Sequence, residues 1–97
     1  MISDLDEITP RSFALGQVVA TAAAVATIPE EEMTAALNRH VSCDWGDLCE
    51  EDRLTNELAV EKQGRLMSVY ETKAKTKFWI ITEWDRSVTT ILLPSDY

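Results

Sequence analysis

The stretch "GRLMSVYETKAKTKFWIITEWDRSVTTILLP", Gly64 to Pro94, decides the fold. Its side chains alternate with a period of two, which is the period of a strand. In "RLMSVYE", Leu66, Ser68 and Tyr70 share one face and Met67 and Val69 the other. In "KFWIITE", Phe78, Ile80 and Thr82 lie opposite Trp79 and Ile81. "SVTTILLP" is rich in β-branched residues and stops at Pro94. "TKAKT" and "EWDR" carry the polar residues of turns. The three runs predict an antiparallel three-stranded meander. Lys73, Lys75 and Lys77 charge one hairpin tip and keep it from pairing with foreign strands. The last strand, Val88 to Leu93, reads as a sheet edge able to pair with its own copy.

Upstream, "CDWGDLCEEDRLTNE", Cys43 to Glu57, gathers carboxylates, a tryptophan and two thiols. "DLCE", Asp47 to Glu50, has the form of a capping box, in which Asp47 accepts from the amide three residues on and Glu50 reaches back. The box predicts a helix from Asp47 to about Lys62, with Gly64 as its C-terminal glycine cap. Leu54, Leu58 and Glu61 share one side of that helix, with Leu48 and Glu51 leading into it. As local structure, Asp44 and Asp47 make turn and cap bonds and Trp45 packs as an anchor. Glu50, Glu51 and Asp52 suit the positive end of the helix dipole.

Closer to the front, Pro29 and three glutamates predict a helix from about Glu30 to His40. Met33, Ala36, Leu37 and Val41 form its apolar face. "TAAAVATI" reads as a short helical piece with Thr21 as its cap. Ser12 to Thr21 reads as a short strand, because Val18 and Val19 are β-branched and Gly16 interrupts any helix. Residues 1–12 are expected to lie loosely on the surface. The fold class is therefore α+β, one domain over residues 1–97. An N-terminal short strand and two to three helices should pack on the C-terminal three-stranded antiparallel meander.

Charge narrows the function. The formal net charge is −8. Residues 1–64 hold 13 Asp and Glu against 4 Lys and Arg, −9, and residues 65–97 hold 4 against 5, +1. An acidic field repels phosphates, so direct nucleic acid binding is not expected. Basic proteins are the partners it attracts. The longest apolar run falls short of a membrane span, which needs about 20 residues. The acidic start "MISDLDEITPR" does not have the form of a secretory leader, and a cytoplasmic protein is expected.

Several segments together resemble a group of small proteins carried by bacterial plasmids and integrative conjugative elements. They are Asp44-Trp45-Gly46, the Gly64-Arg-x-x-Ser-x-Tyr70 strand, the Thr76-Lys-x-Trp-Ile-Ile-Thr-Glu83 strand, and the ending from Asp85-Arg86-Ser87 through Thr89-Thr90 to Leu92-Leu93-Pro94 and Tyr97. "LGQVVAT", Leu15 to Thr21, is similar to their opening. The resemblance covers most of the chain and implies a mobile-element habitat more than an activity. The chain departs from the group's pattern at Cys43, Trp84 and Lys75.

Sharper chemistry finds little purchase. His40, Cys43 and Cys49 give H-x2-C-x5-C, but a structural zinc needs four ligands in paired spacings, and the chain has a single histidine. Cys49 near a helix start lacks an evident base and orienting group. No glycine-rich phosphate loop is present. The expectation is no enzyme, no metal and no cofactor. Two functional readings stay open. In the first, the carboxylate band of Asp44, Asp47, Glu50, Glu51 and Asp52, with Trp45, docks on a basic nucleic-acid-binding defence protein, as an anti-CRISPR or anti-restriction protein does. In the second, Ser68, Tyr70, Thr82, Thr89 and Thr90 with the Glu83, Asp85 and Arg86 turn hold a polar ligand or a partner's peptide. A homodimer is compatible with either.

Overall fold

The alternating C-terminal runs pair as expected and become the centre of the molecule. The computed structural model describes residues 13–97, so the expectation for residues 1–12 lies outside the described residues. Strands β2 (Leu66–Glu71) and β3 (Lys77–Thr82) are antiparallel, with Ser68 opposite Ile80 and Tyr70 opposite Phe78. Strand β4 (Val88–Leu92) is antiparallel to β3, with Ile80 opposite Ile91. The face formed by Leu66, Ser68, Tyr70, Phe78, Ile80, Thr82, Thr89 and Ile91 is buried throughout.

The N-terminal strand β1 (Gln17–Ala20) does more than pack nearby. It joins the sheet parallel to β4, from Gln17 opposite Val88 to Ala20 opposite Ile91. The sheet is thus four-stranded and mixed, in the order β1-β4-β3-β2. This corrects the expectation that the last strand is an edge. Strand β4 is paired on both sides, and its uncharged Val-Thr-Thr-Ile-Leu run suits an interior position.

Two helices follow β1 closely to plan. Helix α1 (Ala22–Thr27) is capped by Thr21, whose Oγ1 accepts from the Ala24 amide at 3.1 Å. The same hydroxyl donates to Asp96 at 2.6 Å and ties the chain's end to its beginning. Helix α2 (Glu30–Val41) opens with Glu30, Glu31 and Glu32 in its first turn, and Pro29 stands just before it as the N-cap. Ala36, with Met33 and Leu37 beside it, packs into a core of Ala24, Ile28, Tyr70, Phe78, Ile80 and Ile91.

Helix α3 (Glu50–Lys62) departs from expectation at two points. Its N-cap is Cys49, with no side-chain capping bond, so the Asp47–Glu50 box does not form. The chain before it is held elsewhere: Val69 donates to the Trp45 carbonyl at 3.1 Å and Asp47 donates back to Val69 at 2.8 Å. That pairing stretches residues 45–47 along β2. Gly46 makes it possible, since its φ is +73° and a Cβ there would collide with the Val69 carbonyl. At the other end Gln63, not Gly64, takes the left-handed position, with φ 60° and ψ 56°. Gly64 serves close approach instead, because a Cβ on it would sit 2.9 Å from that of Ala59.

The face α3 buries is not its leucine stripe. Asn56 and Ala59 point inward, while Leu54 and Leu58 stand 57% and 60% exposed. The inward face is chosen by hydrogen bonding and close packing. The Asn56 amide donates to the Met67 carbonyl at 2.6 Å and accepts from its N–H at 3.3 Å, completing both polar groups of an edge residue. A second core of Trp45, Leu48, Ala59 and Leu66 lies beneath, with Phe13, Val60 and Val69 against it.

Candidate functional site

The nine residues singled out from the sequence fall into three groups. The first surrounds the turn between α2 and α3. Asp44 receives the Arg39 guanidinium, Nε at 2.8 Å and Nη2 at 3.3 Å, and the Gly46 amide at 3.2 Å. The Arg39 bond holds the Asp44 carboxyl below the usual carboxylate range. Arg39 also lies over the Tyr70 ring, 4.7 Å from its centroid. Asp44 is exposed but engaged. Trp45 is wholly buried, and its indole N–H donates to Glu57 at 2.9 Å. It anchors the turn, as the local reading expected, and it is not a contact residue. Asp47 is exposed.

The second group is the start of α3. Glu50, Glu51 and Asp52 are all exposed. The helical repeat of 3.6 puts Glu50, Glu51 and Glu61 on the same outward side as Leu54 and Leu58. Asp52 falls on the side of Asn56 and Ala59, exposed in the first turn beside a cleft of about 200 Å³ shared with Leu48, Thr55, Asn56, Arg65 and Met67. The outward leucines are the feature that sequence reasoning missed. It placed Leu54, Leu58 and Glu61 on one side of the helix and left the direction of that side open. The polar Asn56 opposite the stripe was the available signal.

The third group, Glu83, Asp85 and Arg86, forms the β3–β4 turn. Arg86 has a left-handed backbone, φ 61°, and its guanidinium turns inward. Nη1 donates to the carbonyls of Gly64 (2.6 Å), Glu83 (3.1 Å) and Trp84 (3.3 Å), and Nη2 to Ala59 (2.9 Å). The cation thereby satisfies carbonyls at the C-terminal end of α3, where the helix dipole favours it. Asp85 accepts from both the amide and the hydroxyl of Ser87, at 3.1 and 2.6 Å, which lowers its carboxyl pKa. Glu83 pairs with Arg65 at 3.5 Å. The turn is closed on itself, and Arg86 is a structural clamp.

Of the hydroxyl residues of the second functional reading, Ser68, Tyr70, Thr82 and Thr89 are interior, while Thr90 is half-buried on the opposite face of the sheet. Ser68, Thr82 and Thr89 are fully buried around His40. His40 Nδ1 meets Ser68 Oγ at 2.5 Å and Nε2 meets Thr82 Oγ1 at 2.9 Å. Thr82 and Thr89 hydroxyls are 2.7 Å apart, and Thr89 donates to the Leu15 carbonyl at 2.7 Å. One proton per hydroxyl fixes the order. Thr89 spends its proton on Leu15 and Thr82 spends its own on Thr89. Thr82 must then accept from His40 Nε2–H, and Ser68 must donate to Nδ1. The imidazole is neutral. Burial, aided by the Arg86 charge, lowers its pKa to about 4.

With both ring nitrogens engaged, His40 does not join Cys43 and Cys49. Among the described residues no three His, Cys, Asp or Glu side chains come together as metal ligands. No described helix is long and apolar enough to cross a membrane. A larger open cleft, about 260 Å³, runs between α2 and the β2–β3 hairpin, lined by Glu32, Arg39, Tyr70, Lys73 and Phe78 among others. No family model, curated protein or solved structure matches the chain.

Proposed function

We propose that the protein is a non-enzymatic accessory protein of a mobile genetic element that acts by docking the outward face of α3 on a basic protein partner. One observation carries the reading: Leu54 and Leu58 stand exposed inside a frame of Glu50, Glu51 and Glu61. Leaving a leucine in water forgoes roughly 1.5–3 kcal/mol of burial. A helix that turns two of them outward, at i and i+4, has the form of an interaction stripe. The leucines would supply the buried centre of the contact and the carboxylates its steering and orientation.

The resemblance to plasmid and conjugative-element proteins suggests the partner's class. A defence nuclease presents a basic groove for nucleic acid, and carboxylates placed where phosphates would lie could occupy it. The protein would act in the bacterial cytoplasm. The competing ligand-module reading has less to rest on, since Arg86 is committed to four carbonyls and three of its hydroxyls belong to the His40 chain.

The test is capture from bacterial lysate with a salt-graded wash, comparing the native chain with E50K/E51K/D52K and with L54A/L58A. A single nucleic-acid-handling protein is expected, released as salt rises and lost with either variant. Capture indifferent to salt and to both variants would overturn the reading.

A further inference from the structure

The two edges of the sheet are built differently. On β2 the outward backbone groups of Met67 and Val69 are taken, Met67 by the Asn56 amide, and Val69 by the Trp45 carbonyl and the Asp47 amide. On β1 the amides of Gln17 and Thr21 bond to the Ser87 and Ile91 carbonyls of the β4 side, both at 3.0 Å. Alternation along a strand then points the N–H and C=O groups of Val18 and Ala20 away from the sheet. Among the described residues nothing pairs with them.

Natural edges carry lysines, prolines or bulges that discourage pairing. This one carries none, and no charged residue occurs from Ser12 to Pro29. Val18 and Val19 are 43% and 38% exposed on it.

We propose that β1 pairs antiparallel with β1 of a second copy of this chain, making one continuous eight-stranded sheet. Charge selects the occupant. Copies that each carry −8 repel one another, least of all across an uncharged strip. A strand antiparallel to its copy is also self-complementary about a two-fold axis. Val18 would face Ala20 of the second copy, and Ala20 its Val18, each pair exchanging two hydrogen bonds. Val19 would meet Val19 of the second copy on the axis. The inference uses none of the α3 residues and stands or falls apart from the proposed function.

The experiment is sedimentation velocity from micromolar to millimolar concentration, with amide exchange followed by NMR. The mass should rise from one chain to two, and the Val18 and Ala20 amides should slow as it does. Val18→Pro removes only an outward-facing donor, which an edge position tolerates. It should weaken association by at least about tenfold, each tenfold being a 1.4 kcal/mol change. Val18→Lys supplies the same comparison by charge if the proline variant does not fold. A chain that stays single at all concentrations overturns the proposal. So does a dimer untouched by either variant, or protection of these amides in a single chain.

Discussion

A neutral imidazole sealed between hydroxyls is stable only while it stays neutral. Protonation would give His40 two donors, and Ser68, now facing N–H, would have to turn its own proton elsewhere. The sign follows from linkage. The folded pKa, about 4, lies below the ordinary histidine value of 6.5, so the unfolded chain binds the proton more readily. Stability from this residue is fully present above pH 6.5 and is lost as pH falls through about 4. A pKa drop of that size corresponds to about 3 kcal/mol. Urea unfolding midpoints should therefore drop steadily between pH 6.5 and 4. A His40→Gln variant should be less stable at pH 7 and lack most of that slope; an equal slope in both chains would place its origin elsewhere. The Asp44 contribution is lost only at lower pH, because its carboxyl is depressed below 3.8. Sequence reading placed His40 in a helix and Ser68 and Thr82 on one strand face each. Their meeting across 28 and 42 residues was not legible, because hydroxyls and imidazole carry no pairing code along a chain.

At the scale of elements, α3 is oriented by polar bonds and small-residue packing. Truncating Leu54 to Ala should change stability by no more than about 0.5 kcal/mol, as at a surface site. A buried leucine would cost roughly 2–5 kcal/mol. Arg86→Ala should cost about 2 kcal/mol or more, since charge-assisted bonds to four carbonyls disappear, although Ala59 keeps the Gly64 amide. Guanidinium melts of both variants decide the matter, and a larger loss for Leu54→Ala would contradict the observed orientation of the helix. The sequence stripe of Leu54, Leu58 and Glu61 was read correctly as a stripe. Its direction was not legible, because hydrophobic periodicity reports which residues share a face, not which neighbour that face meets. The capping box failed for a similar reason: residues 45–47 had a stronger claim on them from Val69.

Across the whole molecule, charge and stability pull in opposite directions. With −9 on residues 1–64, added salt screens self-repulsion and should raise the melting temperature modestly up to roughly 0.5 M, while weakening any carboxylate-steered contact. Thermal melts and binding titrations in the same salt series should therefore move oppositely; parallel movement would argue against an electrostatic contact. Strand β1 also closes the chain, tying its start to β4 near its end. Deleting residues 1–20 would turn β4 into an exposed edge with a Val-Thr-Thr-Ile-Leu run, and light scattering should report aggregation of that fragment.

Period-two alternation in two runs and β-branched residues in a third were enough to define strands β2 to β4 and their meander, because each strand's partner is its neighbour in sequence and the turns between them are short. Proline, glutamate and threonine signals likewise marked α1 and α2, whose ends depend on residues within one turn. What pairs at long range was decided only in the folded molecule. The parallel seam of β1 with β4, the inward Arg86 clamp and the His40 chain each join residues more than 20 positions apart, and the rotation of α3 rests on a pairing across 11. Such contacts depend on which groups remain unsatisfied after the local elements have formed, and that remainder is a property of the assembled fold.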